Sequence, residues 1–422
     1  TVSAKYTQDA HACPSCKAVD RLIRFGTLEQ TFLDLPVHTK RVVIHVERQR
    51  YRCAKCGKTF MQPLPDMHDQ RLMTRRLCSY IQQESLKTTF TSIAESVGVD
   101  ESLVRLIFRE YVATLNAAYK TVTPDWLGID EIHILGKPRC VITNVREHTI
   151  VDMLDNRNKT TVAKWFSNVH DRHKIKLAAM DMWNPYRDVV SELMPKAKII
   201  VDKYHVVRMA NQSLEVVRKG LRESLTDAQR RQLKDDRFIL LTRRSKLSPD
   251  KLIFLDVWTK AFPTLGTAYK LKESFYEIWD TAKSSREARK QYNEWQKTIT
   301  PDLTEAFQPL TTAVENWSDE IFAYFDTETH ITNAFTESLN GTIRLTDRLG
   351  RGYSFAAIRA KILYHGGLRK VVRPSVRSRK SQPTQVMGQM VIRDEQHSYE
   401  AESLDYGVDI STLARLLQEG KF

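Results

Sequence analysis

The apolar positions of this chain follow a period of two in some stretches and a helical period in others, and the changes of period divide it. Between Arg41 and Arg52 the alternation puts Val42, Ile44 and Val46 on one face, which predicts a strand. From Arg71 to Leu115 the pattern turns helical. Ile93, Ala94 and Val97 share one helix face, Val104, Ile107 and Phe108 another, and Gly98 falls between them. That spacing predicts a helix, a glycine-bearing turn and a second helix over residues 90–109. Past Pro124 the period is strand-like again, with strands predicted at 125–135, 140–145 and 149–154, a helix at 160–169, a strand at 175–182, a helix at 185–194 and a strand at 197–202.

Three strands, helix, strand, helix, strand is the order of an RNase H-like sheet, in which an antiparallel meander is extended by two strands parallel to its first. Residues 206–332 show no strand alternation and predict an all-helical insertion whose tryptophans, Trp258, Trp279, Trp295 and Trp317, serve as core anchors. The expected fold is a multidomain α/β protein. Its parts are a zinc ribbon (1–66), a helix-turn-helix domain (67–120), the first part of an RNase H-like core (121–205), the insertion (206–330), the last part of the core (331–370), and a basic tail with a short terminal helix (371–422).

Composition narrows the partners. A chain of 422 residues is too long for a single ordinary core, and Lys plus Arg outnumber Asp plus Glu 65 to 51, a net charge of +14 that favours a polyanion. No apolar run approaches a membrane span and the N-terminus has no signal-like apolar stretch, so a cytoplasmic protein with no membrane partner is expected.

Four of the six cysteines form two CxxC pairs, Cys13/Cys16 and Cys53/Cys56. Two such knuckles supply the four thiolates of a closed tetrahedral zinc site. Cys78 and Cys140 read as small buried apolar residues. The strand between the knuckles carries Arg48, Arg50 and Arg52 against one acid, Glu47, and predicts a basic face. In the helix-turn-helix the second helix would present Ser102, Arg105 and Arg109 to a DNA major groove. Asp130, Asp181 and Asp202 fall in or near the ends of predicted strands, where an unpartnered carboxylate is costly. Glu337 lies in a helical stretch with Asn333, Asn340 and Arg344 on its face. Carboxylates gathered from separate elements suit two-metal phosphoryl transfer.

The two knuckles, the helix-turn-helix, Gly128-Ile-Asp130-Glu-Ile, Met180-Asp181-Met-Trp-Asn-Pro-Tyr186, Val201-Asp202-Lys-Tyr-His205 and Thr336-Glu337-Ser-Leu-Asn-Gly341 stand in one order. Together they resemble a bacterial insertion-sequence transposase of the ISL-three family, over residues 11 to about 370. The resemblance implies a DNA transposase that binds the terminal inverted repeats of its element and catalyses metal-dependent cleavage and strand transfer. Asp130 and Glu337 map onto the first and last catalytic acids. The middle acid is Asp181 or Asp202, with Asp181 favoured by its place after the first helix. Asp202 and His205 then become active-site neighbours, as do Asn333, Asn340 and Arg344. Implied cofactors are Mg²⁺ or Mn²⁺ on Asp130, Asp181 and Glu337, and structural Zn²⁺ on the cysteines. Implied partners are transposon-end DNA, target DNA and at least a second copy of the chain. Arg351 is a candidate phosphate contact. The alternative reading is a zinc-ribbon and helix-turn-helix regulator with an inactive nuclease-like domain.

Overall fold

In the computed structural model of the protein the described residues are 1–68, 70–327 and 333–365. The basic run at 369–380 and the terminal helix expected at 412–418 lie outside them.

Four strands open the chain: β1 (Val2–Lys5), β2 (Leu22–Val37), β3 (Lys40–Cys53) and β4 (Thr59–Met61). β2 and β3 form a long antiparallel hairpin, and on the edge of β3 away from β2 lie β1, parallel to it, and β4, antiparallel at its far end. The two-residue turn, His38 and Thr39, has φ of 49° and 64°, the left-handed pair that matches hairpin twist. β2 escapes a periodicity reading because a register shift between Arg24 and Thr27 reverses which residues face inward. Only Phe32, Val46 and Leu64 form a buried cluster here, too few apolar groups to hold a fold by themselves.

Helices α1 (Arg75–Glu84), α2 (Phe90–Val97) and α3 (Glu101–Ala118) follow. Each starts on a side-chain cap: Thr74, Thr89 and Asp100 accept from Leu77 N, Ser92 N and Ser102 N. Gly98 ends α2 at φ 77°, and a Cβ there would come within 2.4 Å of Arg41 Nε, so both backbone and space require glycine. Asp34 of β2, 4% exposed, accepts from Thr74 Oγ1 at 2.7 Å and Arg76 Nε at 2.7 Å, tying the hairpin to the start of α1.

The chain then lays down β5 (Trp126–Ile134), β6 (Lys137–Asn144), β7 (Thr149–Leu154), α4 (Lys159–Ser167), β8 (Leu177–Met180), α5 (Asn184–Leu193) and β9 (Lys198–Val201). The strands form one sheet in the order β7-β6-β5-β8-β9. β6 is antiparallel to both its neighbours, and β8 and β9 run parallel to β5. Leu127 and Ile129 of β5 face a core shared with α4 and α5. Ile132 and Ile134, on the opposite face, share a core with Leu77, Ile81, Ile93, Val104 and Ile107 of the first three helices. Those helices therefore cover the sheet directly.

Helices α6 (Lys203–Gly220), α7 (Asp227–Asp235), α8 (Arg237–Leu241), α9 (Pro249–Ala261), α10 (Pro263–Thr281), α11 (Ser285–Gln296), α12 (Thr304–Asn316) and α13 (Ser318–Phe322) come next. Between 206 and 327 no strand occurs among the described residues. Trp258, Trp279, Trp295 and Trp317 are all buried in one cluster that reaches Ala179, Ile200 and Val201 of the sheet, so these helices pack around its β8–β9 side. Finally α14 (Ala334–Gly350) crosses β5, and α15 (Phe355–Tyr364) packs beside β7 and α3. Cys78 and Cys140 are buried.

Candidate active site and nucleic-acid surfaces

Strand register assembles the acids. Ile129 of β5 pairs with Met180 of β8, and Met180 with Val201 of β9. Asp130, Asp181 and Asp202 each come one residue later, so they form a row across three parallel-paired strands, in the middle of β5 and just past the carboxyl ends of β8 and β9. Crevices at such ends are where open α/β sheets bind ligands. α14 closes the row from above. A Cβ on Gly128 would lie 2.2 Å from Thr143 Oγ1 and 3.0 Å from Asn333 Oδ1, so the absence of a side chain there admits the start of α14. Thr143 Oγ1 and Thr336 Oγ1 meet at 2.8 Å, and Thr336 also donates to Asn333, fixing the helix against β6.

Glu337 thereby faces the row. His205 Nε2 lies 2.8 Å from Asp181 Oδ1 and 3.9 Å from Glu337 Oε1. Ligand atoms of Asp130, Asp181 and His205 lie within 4.8 Å of one another, as do those of Asp202, His205 and Glu337. Asp130, 4% exposed, accepts from Asn340 Nδ2 at 2.7 Å and from Glu131 N at 2.7 Å. Asp202, 2% exposed, has both oxygens engaged: Tyr204 N donates at 3.1 Å, capping α6, and Asn333 N donates at 3.2 Å. Asn333 is fully buried and Arg344 is exposed.

Burial, then the charge of Asp181, holds the Asp130 carboxyl far above the ordinary range. Burial raises Asp202 as well, and burial followed by the Asp202 charge raises Glu337. Burial alone would lower His205, but its contact with Asp181 and the surrounding carboxylates raise it. Clustered carboxylates of this kind are stabilised by positive charge. Asn340 Oδ1 is also buried with no hydrogen-bond donor, an acceptor free to orient water or a cation's ligand.

In the ribbon, Cys13 Sγ lies 3.7 Å from Cys56 Sγ and Cys16 Sγ lies 3.6 Å from Cys53 Sγ. A tetrahedron of Zn–S bonds near 2.3 Å has edges of about 3.8 Å, whereas a disulfide brings sulfurs to about 2 Å. The cysteines are therefore spaced for a metal. Amide N–H groups of Cys16 and Cys56 lower the thiols of Cys13 and Cys53. Each knuckle closes through a residue with positive φ, Lys17 at 57° and Gly57 at 73°, whose N–H donates to the first cysteine's carbonyl.

The candidate DNA contacts separate into engaged and open groups. Arg48 is half-buried and donates to Gln62 O and Gln30 Oε1. Arg50 is exposed over the Phe25 ring, 5.5 Å from its centroid, and Arg52 is exposed. On α3, Arg105 Nε donates to Glu101 Oε1 at 2.8 Å while its guanidinium lies 5.1 Å from the Phe90 centroid. Ser102 and Arg109 are exposed and line, with Arg105, a cleft of about 520 Å³ facing Gly352 and Ser354. Arg351 caps α14 with φ of 35° and is exposed.

Sequence reasoning passed over three groups. Arg157 pairs with Glu131, Arg359 donates to Asp152 at 2.7 Å, and buried Lys361 donates to Ser85 O and to Thr88 O at 2.8 Å. Arg359 and Lys361 left a trace, two basic residues interrupting the apolar helical run Ile358 to Leu363.

Known proteins place the chain. The family described as "Transposase", the DDE group of ISL-three elements, matches residues 127–362. A second, the "zinc-finger of transposase IS204/IS1001/IS1096/IS1165", matches residues 9–56. The chain belongs to the ISL-three transposase family. It is 24% identical over 365 residues, 84% of this chain and 88% of the relative, to the "Transposase for insertion sequence element IS1001" of Bordetella parapertussis. Among the described residues no helix is long and apolar enough to cross a membrane.

Proposed function

We propose that this chain is the transposase of an insertion sequence: it binds the element's terminal inverted repeats and cuts and joins DNA strands at Asp130, Asp181 and Glu337. The observation that carries this is the row of acids on β5, β8 and β9, closed by Glu337 from α14. A meander extended by two strands parallel to its first supports an RNase H-like core. Asp130, Asp181 and Glu337 would hold Mg²⁺ or Mn²⁺, because hard cations prefer carboxylate oxygen over imidazole nitrogen. When bound, these ions activate the attacking hydroxyl and stabilise the leaving oxygen of an in-line displacement.

The chain's own residues supply geometry. Asn340 orients Asp130, His205 orients Asp181, and Asp202 pins the starts of α6 and α14. We assign Asp181 as the middle catalytic acid because its side chain is partly exposed beside Asp130, whereas Asp202, 2% exposed, is bound to the backbone N–H groups of Tyr204 and Asn333 at the starts of α6 and α14. α2 and α3 act as a helix-turn-helix whose open face carries Ser102 and Arg109, and Arg50 and Arg52 extend the basic surface along the ribbon. Zn²⁺ on Cys13, Cys16, Cys53 and Cys56 holds the ribbon together. Joining two ends requires two active sites, hence at least two copies of the chain.

The test uses a duplex carrying the element's own terminal repeat. The protein should nick and join it in Mg²⁺ or Mn²⁺ and do neither in EDTA. Specific binding of the repeat without metal-dependent cleavage would identify a regulator instead, and cleavage without joined product would identify a nuclease.

A further inference from the structure

Two aromatic residues follow Asp181 closely, and the structure treats them oppositely. Tyr186 is 1% exposed, whereas Trp183 is 37% exposed. All the tryptophans lie among the described residues, and Trp183 is the one of them that is exposed. Its backbone is fixed without its side chain: Trp183 N donates to Asp181 O at 2.7 Å, and Tyr186 N donates to Trp183 O at 3.0 Å as α5 begins. The indole is therefore held at the rim of the acid row yet is not needed to form the turn.

Arg157 crosses the same rim. Its guanidinium lies 4.1 Å from the Trp183 ring centroid and pairs with Glu131, the residue after Asp130. One guanidinium thus links the residue after Asp130 to the residue two after Asp181. An arginine stacked on one face of an indole stiffens it and adds positive charge near the acids. With Arg157 on one face and 37% of the residue exposed, the ring keeps room for a second partner with a flat face.

DNA brings one. A base unpaired beside the acid row presents such a face, and aromatic side chains bind single-stranded bases by stacking. We propose that Trp183, backed by Arg157, is the seat of an unpaired nucleobase next to the scissile phosphate. The base stacks on the open part of the indole, and Arg157 faces the phosphate of the same nucleotide. This rests on the transposase reading.

The experiment places 2-aminopurine at each nucleotide flanking the scissile phosphate of a terminal-repeat duplex, bound in Ca²⁺ to hold it uncut. With the wild-type chain, a probe at the seated position should be unpaired yet quenched by stacking. With Trp183→Ala its emission, read at saturating protein, should rise several-fold, and Trp183→Phe should restore part of the quenching. A second arm needs no variant: in Mg²⁺, an abasic nucleotide at that position should slow wild-type cleavage roughly tenfold. Equal emission from Trp183→Ala and wild type at every flanking position overturns the proposal. So does an abasic end cut at the intact rate, which decides the matter if Trp183→Ala does not fold. If the wild-type chain neither binds nor cuts its own terminal repeat, the transposase reading fails first, and with it this one.

Discussion

Asn340 on α14 donates a 2.7 Å hydrogen bond to Asp130 on β5, across 210 positions of sequence. The bond couples the orientation of the first acid to the helix that carries the last, Glu337. Without it only Glu131 N holds the Asp130 carboxylate, and an ångström of misplacement is costly in phosphoryl transfer.

Asn340→Ala should therefore cut end-nicking by roughly 100-fold while leaving terminal-repeat affinity near wild type. Single-turnover nicking and gel-shift titration on one preparation check this. Unchanged nicking would show that Asp130 is oriented by Glu131 N alone.

Asp181→Asn and Asp202→Asn separate metal binding from framework. Asp181→Asn should fold with an unchanged melting temperature and lose both Mg²⁺-dependent nicking and joining. Asp202→Asn places an amide against the backbone donors of Tyr204 or Asn333 and should destabilise the chain by about 1–3 kcal/mol. Thermal melts with and without Mg²⁺ read both. Strand transfer retained by Asp181→Asn would move the middle acid to Asp202.

Zinc removal should act locally. With Phe32, Val46 and Leu64 its only buried cluster, the hairpin depends on the metal for its folding energy. Cys53→Ser should lose zinc from the purified protein and abolish end binding, while nearly all helical circular dichroism persists. A protein that purifies without zinc and still binds ends contradicts the assignment.

Asp34 predicts an acid-limb effect. Its hydrogen bond from Arg76, then that from Thr74, pull its carboxyl down to about 2 against burial. A folded-state value below the unfolded one means the link stabilises fully above about pH 4 and is lost as pH falls towards 2. Arg76 is largely exposed, so solvent screening reduces the contribution to about 1 kcal/mol. Asp34→Asn should lower stability at pH 7 by that amount and flatten the pH dependence between 4 and 2, measured by denaturant titration.

Lys361 is 5% exposed among the rings of Phe90, Tyr353 and Phe108, with centroids 4.7, 5.0 and 5.7 Å from its Nζ. Lys361→Met keeps the packing but leaves the carbonyls of Ser85 and Thr88 without this donor, at a cost of about 2–4 kcal/mol. Melting should register it, and so should proteolysis between α1 and α2. An unchanged melt would mean these carbonyls find water instead.

The strands at 126–134, 140–144 and 149–154 were legible from alternation, and the pair of helices around Gly98 from their apolar faces and the glycine between them, because those signals are local. The same is true of the CxxC spacing and of acids interrupting apolar runs. β2 was not legible, since its register shift breaks the period of two. Nor could local pattern show that Leu77, Ile93 and Val104 share a core with the sheet; an apolar face does not say which surface covers it. The acids followed the same division. Sequence offered Asp181 and Asp202 on adjacent strands without ranking them by contact. Only parallel register set both in one row with Asp130, and only the packing of α6 and α14 bound Asp202 to the N–H groups of Tyr204 and Asn333 while leaving Asp181 to His205. Trp183 and Tyr186 are both aromatic residues near one acid, and the turn into α5 determined which is buried and which meets Arg157. Residue type sets what chemistry a side chain can perform. Long-range packing sets which lone pairs and ring faces remain free to perform it.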